Sequence, residues 1–304
     1  MITQNKLLLA KIESPYGTEP TPTTGSNFIA AHNIRVTPQM TYNESLATDI
    51  SLSPRAGTLG SKYIEVSFDH QLQMATNTPP IDPLLLSCGY TDTVNGVYKP
   101  RTTGFQSCTL WVYEEDIVWK VNGCRGNVVF NYNAGQPVTL SFTLQGRYVK
   151  PADTTFPTSV TDNGGKPCVA MNRAFAFNSI AAPTESLSFS LNNTLAQQPN
   201  MDDAVAQGIQ EIVITNRDPS GSFNPKLVKA SDTPDYWTDF EAVTERAITY
   251  VVGDGTSNLS ISLPKVEIMN ITTGDQNGIM IYDIPFKCVR NTGDDEISLT
   301  FAVV

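Results

Sequence analysis

The sequence predicts a mainly β protein in which one order of antiparallel strands and a short helix occurs in two tandem halves. Three observations carry that prediction. Charged residues are only 16% of the 304, while Gly and Pro number 20 each, a mixture that interrupts helices and supplies turns. Apolar and polar residues alternate with period two in many short runs, as at 63–68 and 209–215. The order strand, long polar loop, strand, short helix, meander occurs twice. A chain of this length removes about three quarters of its unfolded surface from water, so no staples are needed.

Taken in order, residues 1–31 hold SPYGTEPTPTTGSN, which lacks a hydrophobic period and reads as an extended N-terminal arm outside the core. A strand begins at 33–37, a polar loop covers 43–61, and 63–68 is a half-buried strand. In PPIDPLLLSCGY (79–90), Asp82 stands as N-cap, Pro83 at the first helical position and Gly89 at the exit. Runs at 108–113, 117–121, 127–132 and 137–149 form a four-stranded meander. Residues 151–181 read as a linker.

The second half repeats the scheme, with a strand at 187–191, a polar loop at 192–208, an alternating strand at 209–215 and a helix from Asp235 to Ala242. Strands at 247–252, 259–263, 266–269, 279–288 and 297–303 close it. The expected partition is arm 1–31, first domain 32–150, linker 151–181 and second domain 182–304. Matching elements lie about 140 to 155 residues apart, pairing 63–68 with 210–215, Asp82 with Asp235 and 138–149 with 279–290.

Thirty acids against 20 Lys and Arg give a net charge of −10, the opposite of the basic face that grips phosphates. Cys88, Cys108, Cys124, Cys168 and Cys288 are odd in number and lack a Cys-X-X-Cys pair, so they read as reduced thiols. His32 and His70 do not compose a zinc site, and no cofactor is expected. The acids at 114–116 and 294–296 fall in turns, and GDGTSN (253–258) lacks the ligand ladder of a calcium loop. No nucleophile elbow, phosphate loop or Cys/His dyad anchors an enzyme.

Trp111, Trp119 and Trp237 open an alternative, a surface or secreted carbohydrate-binding or adhesion β-sandwich. It needs an export signal, and the apolar run near the start is shorter than the roughly 7–15 residues such a signal requires. No stretch reaches the roughly 20 apolar residues of a membrane span. A glycan-cleaving enzyme would need two carboxylates about 5–9 Å apart, a separation that sequence does not supply.

A set of segments, in order and spacing, is specific. AKIESPYGTEPTPT, PLLLSCGY, VYKP, VNGCRGNVVFNYNAGQPVTLSFTLQGRYVKP, QGIQEIVITNRDPSGSFNP, GIMIYDIPF and GDDEISLTF resemble the tail tube (major tail) protein family of long-tailed, siphovirus-type bacteriophages. The resemblance implies a structural virion protein, made in the bacterial host cytoplasm, that self-assembles into stacked rings. The resulting tube would conduct DNA from capsid to cell. It also implies two tandem tail-tube-like antiparallel β-sandwich domains, each with a short flanking α-helix, with inner sheets that join those of neighbours into one barrel and a long loop that reaches the next ring. Implied partners are copies of the chain, a tape-measure protein and tail-terminator or tail-tip proteins.

Two tube domains per chain imply a ring of three chains. With four strands per domain, 24 strands at about 4.8 Å spacing and about 40° tilt enclose a backbone circle of about 48 Å, leaving a bore on the order of 35–40 Å. By position the stacking loop matches 43–62, with 192–208 as its counterpart. Leu46, Ile50, Leu52 and Leu59, with Leu195, Met201 and Val205, are the apolar residues expected to be buried only against a partner. Glu65, Asp69, Glu211 and Glu267 are expected to face the bore, repelling a duplex within a screening length of about 8 Å and leaving it unbound.

Overall fold

Four consecutive apolar residues, Leu7 to Ala10, lie near the start of the described chain. The structure is a computed structural model that describes residues 5–303 except 49, 52, 163, 172–174, 203–206, 230–231 and 254–255. Strand β1 (Lys6–Ile12) places Leu8 and Ala10 in the main core, while Leu7 and Leu9 pack with Tyr113 and Val118 in a second, smaller cluster. This corrects the expectation that residues 1–31 stay outside the core. A strand covered on both faces shows no alternation, so its signal is a short apolar run. The turn after β1 is fixed by the buried Glu13 carboxylate. It accepts hydrogen bonds from Ser107 Oγ (2.6 Å), Thr109 Oγ1 (2.6 Å) and the Gly17 and Gly123 amides (2.8 and 2.7 Å).

After β2 (Phe28–Ile29), β3 (Ala31–Asn43) and β4 (Thr58–Gln71) form a long hairpin. Helix α1 (Asp82–Ser87) follows. Asp82 is not its cap, since Ile81 holds that position and the Asp82 carboxylate instead accepts a hydrogen bond from the Tyr98 hydroxyl at 2.7 Å. Hairpin β5 (Tyr90–Val94) and β6 (Val97–Pro100) leads to β7 (Cys108–Glu114), β8 (Ile117–Asn133) and β9 (Thr139–Arg147). The predicted strands 117–121 and 127–132 are therefore one. Gly123, at φ +66°, lies where the ladders of β8 with β7 and with β9 both shift register, and there the strand leaves β7 for β9.

Among its described residues, the expected linker carries only the short strands β10 (Ala152–Asp153), β11 (Ala176–Phe177) and β12 (Ile180–Ala181). Next come β13 (Thr184–Ser190), a separate hairpin of β14 (Asn193–Pro199) and β15 (Ile209–Arg217), and β16 (Ser220–Pro225). Part of the polar loop predicted at 192–208 is thus a strand. Helix α2 (Tyr236–Glu241) is capped by Asp235, whose Oδ1 accepts the Thr238 amide at 3.0 Å. The chain ends with β17 (Arg246–Gly253), β18 (Ser257–Ile268), β19 (Thr272–Gln276), β20 (Ile279–Cys288) and β21 (Ser298–Val303). β18 fuses the predicted strands 259–263 and 266–269. The turn expected within 253–258 includes residues outside the described ones.

The protein is mainly β and sandwich-like, and among the described residues all pairings are antiparallel and no barrel closes within one chain. One pairing order occurs twice. β4 pairs with β9, β9 with β8 and β8 with β7; in the second half β16 pairs with β20, β20 with β18 and β18 with β17. The counterpart of β4 is therefore β16. The predicted match of 63–68 with 210–215 fails because β15 belongs to a hairpin inserted between β13 and β16.

The halves are knit together by β8–β13 and β6–β21 pairings, and a single apolar core runs through both. Stacked rings of Phe68 with Phe142 (5.2 Å) and Phe130 with Phe189 (4.9 Å) line it beneath the sheet.

Candidate functional site

The pairings place β3, β4, β9, β8, β13, β16 and β20 side by side, with β18 and β19 sharing the next place. This ribbon crosses both halves without a break. One face carries Val66, Phe68, Phe142, Phe130, Phe189, Phe223 and Phe286 into the core. The register aligns the opposite face strand by strand. Ser67, Thr143 and Asn127 share a row, as do Asn131, Ser188, Ser222 and Pro285.

A pattern of hydroxyl or amide residues around a core Phe recurs as TLSFT (139–143), SLSFS (186–190) and SGSFN (220–224), on β9, β13 and β16. Period two sends each Phe inward and its flanking residues outward. The middle of the face is thus short, neutral and hydrogen-bonding.

Charges lie at its flanks. Asp69 accepts hydrogen bonds from Asn33 Nδ2 (2.8 Å) and Ser141 Oγ (2.7 Å), and Glu65 sits opposite Gln145 on β9. Glu267 is opposite Lys287, which itself pairs with Asp218 at 2.6 Å. Of the four acids predicted for a bore, Glu65, Asp69 and Glu267 belong to ribbon strands, whereas Glu211 lies on β15 and pairs with the buried Arg125 at 2.5 Å.

Arg125 locks the β14–β15 hairpin onto the first half. Its guanidinium also donates to the carbonyls of Ile212 (2.7 Å), Phe105 (2.8 Å) and Gln106 (3.1 Å), and stacks 4.8 Å from the Tyr16 ring centre. Tyr16 accepts the Ile212 amide at 2.8 Å, and burial pushes its phenol well above the usual range. Asn127 and Asn193 exchange two hydrogen bonds, and Gln207 Nε2 donates to the Tyr148 carbonyl.

At the ribbon's two sides, among the described residues, β3 pairs only with β4 and β19 only with β20. Each leaves a row of backbone groups unpaired by the chain itself. Apolar side chains are exposed beside both edges: Met40 and Tyr42 on β3, and Ile279 and Met280 at the β19–β20 turn.

The predicted loop residues divide as follows. Leu46 (94% exposed) and Ile50 (105%) project from the loop between β3 and β4, Leu59 is exposed at the start of β4, and Met201 (107%) stands at the tip of the β14–β15 hairpin. Leu195 is half-buried within β14. Leu52 and Val205 lie outside the described residues.

Other candidates have structural roles. Trp119 donates to Glu114 at 3.1 Å, Lys120 lies over the Trp111 ring at 4.1 Å, and Trp237 donates to the Tyr282 hydroxyl at 3.2 Å. In the turn at 294–296, Asp294 and Glu296 pair with Arg217 (2.6 and 3.0 Å). Burial works against the Asp295 carboxylate, but donors from Thr292, Asn291 and Gly293 lower its pKa to about 2. Cys88, Cys108, Cys124 and Cys288 are buried free thiols, and burial pushes Cys288 up to about 12. Among the described residues, no His, Cys, Asp and Glu cluster composes a metal site, and no helix is long and apolar enough to cross a membrane.

A sandwich with a wide polar face and two open strand edges leaves backbone groups that another chain could pair with. The family model described as phage tail tube protein matches residues 3–288, and the chain belongs to that family. It is accordingly a structural component of a phage tail. No curated protein matches the chain.

Proposed function

We propose that the chain assembles with copies of itself into rings of three, that the rings stack into the tail tube, and that the Ser/Thr/Asn face of the ribbon is the wall along which DNA travels. The observation that carries this reading is the pair of open edges, β3 at one side of the ribbon and β19 at the other. Two different edges on one chain make a head-to-tail contact, which closes into a ring when the rotation returns on itself. The repeated pairing order supports two tube domains per chain, six to a ring, and the ribbon contributes the eight strand positions the 24-strand estimate assumes.

Charge on the wall then acts locally. Neutral hydroxyl and amide groups supply no fixed counterions for phosphates, so the duplex meets no electrostatic grip at the middle of each subunit. Glu65, Asp69 and Glu267 add repulsion at the subunit borders. A tape-measure protein and tail-terminator or tail-tip proteins are the further partners this reading carries over from the family. Negative-stain microscopy of the purified protein tests the reading. End-on views should show three subunits around an open bore, and solitary particles at every concentration would refute it.

A further inference from the structure

The ladders fix the equivalence of the two halves residue by residue. β7 and β8 skip from Cys108–Cys124 to Leu110–Val121, and β17 and β18 skip from Arg246–Val266 to Ile248–Leu263, two residues against three in both. Cys124 therefore matches Val266. The pairings that follow match Ser141 with Asp283, Ser67 with Ser222, Arg35 with Ser188 and Asn131 with Gly274. A shared hydrogen-bond bridge supports the match. Asp69 joins Asn33 to Ser141, and at the matching places Asn224 accepts from Ser186 Oγ (2.7 Å) and donates to Asp283 (3.3 Å).

Under this equivalence β13 is the counterpart of β3, and β19 that of the last part of β8. The β13–β8 seam, closed inside the chain, is thus a template for a joint between the two open edges. In it Ser188 faces Asn131 and Ser190 faces Val129. Transferred to β3 and β19, the same register sets Arg35 opposite Gly274 and Thr37 opposite Thr272.

Charge separates the two joints. The inner seam has Ser188 at one corner and, one strand beyond β8 and two residues along, Ser141 at the other. The matching corners of the outer joint are Arg35 and Asp283, both exposed on the polar face of the ribbon. Arg35 has no ion pair among the described residues, and Asp283 accepts the neutral Asn224 amide. Such a diagonal spans about 12 Å between Cα atoms, which an extended arginine and an aspartate close. Gly274 puts no side chain in the way, and the half-buried Ile281 opposite it offers apolar surface to the arginine stem.

We infer that β3 of one copy joins β19 of the next in the register of the β13–β8 seam, with the Arg35 guanidinium bound to Asp283 of the adjoining copy. A neutral corner suffices where the peptide chain already holds both strands. A charged corner selects partner and register where two molecules must meet, because a slip of two residues along the seam parts Arg35 from Asp283. The inference rests on the ring reading and adds the register of its joints and the residue pair that sets it.

The test uses the full chain. With Thr37→Cys and Thr272→Cys together, oxidation of the assembled protein by diamide should give covalent multimers, absent from wild type, that end at the size of one ring. Thr37→Cys with Gly274→Cys or with Gln276→Cys, displaced by two and four residues, should give far fewer. Arg35→Glu and Asp283→Arg should each raise the concentration at which rings form by about tenfold or more, and the two together should restore it. Full assembly of either single variant, no recovery in the double one, or a ladder from a displaced cysteine pair in place of Thr37 with Thr272 would overturn the inference and leave the ring reading standing. A wild-type protein that never assembles would overturn both.

Discussion

Replacing Arg125 by Met should release the β14–β15 hairpin. The Arg125 side chain is 6% exposed and serves three carbonyls, those of Phe105, Gln106 and Ile212, besides Glu211. At about 1 kcal/mol for each lost hydrogen bond, the three carbonyls account for about 3 kcal/mol. The Glu211 side chain is 31% exposed and rehydrates, so its share is about 0.5–1 kcal/mol rather than the buried-pair value. Methionine keeps most of the stem packing, which leaves an expected loss of about 3–4 kcal/mol. Glu211→Gln should cost about 1 kcal/mol or less, because the amide still accepts and the carbonyl contacts remain.

Urea unfolding measures the two losses, and hydrogen exchange of residues 193–199 and 209–217 locates them. Faster exchange confined to those segments is expected in Arg125→Met. Equal midpoints for the two variants, or unchanged exchange in the hairpin, would show that the buried Ile209, Ile212 and Ile214 hold it without the guanidinium.

Three further outcomes are expected. Burial lowers the pKa of His70 from 6.5 to about 4, while its Nδ1 bonds the Ala30 carbonyl at 3.0 Å. Below pH 6.5 the unfolded chain gains a proton that the folded one refuses, so stability should fall by about 1.4 kcal/mol per pH unit down to about pH 4, roughly 3 kcal/mol in all. His70→Leu should flatten that slope in urea titrations across the window. Deleting residues 46–58 should yield soluble subunits that form no tubes, whereas long tubes from the deletion would remove the loop from stacking. Ser188→Lys with Ser222→Lys should make tubes retain DNA in co-sedimentation, with retention falling steeply as salt rises. Unaltered retention would mean that this face is not the wall.

Period-two alternation made the β class and most strands readable, because a half-buried strand must alternate. It failed where burial or register departs from that pattern. β1 is covered on both faces, so Leu7 to Ala10 are uniformly apolar. The bend at Gly123 splits one strand into two apparent ones. β15 alternates as well as β4 does, yet it pairs only with β14 among the described residues, and pairing partners are not written in a strand's own pattern.

The acid candidates show the same limit. Nothing local distinguishes Glu211 from Glu65, since the Arg125 that occupies it is 86 residues away. The polar face itself was legible in principle, as the SLSFS and SGSFN segments carry small hydroxyls alternating with a core Phe.

The seam between β8 and β13 is formed by the chain's own folding, with five residue pairs from Ser186–Asn133 to Ser190–Val129. In a circle of three such chains, every second joint is therefore completed before any collision between molecules. If the proposed ring of three is the nucleus, its formation depends on the third power of subunit concentration, rather than the sixth power that six single-domain copies would require.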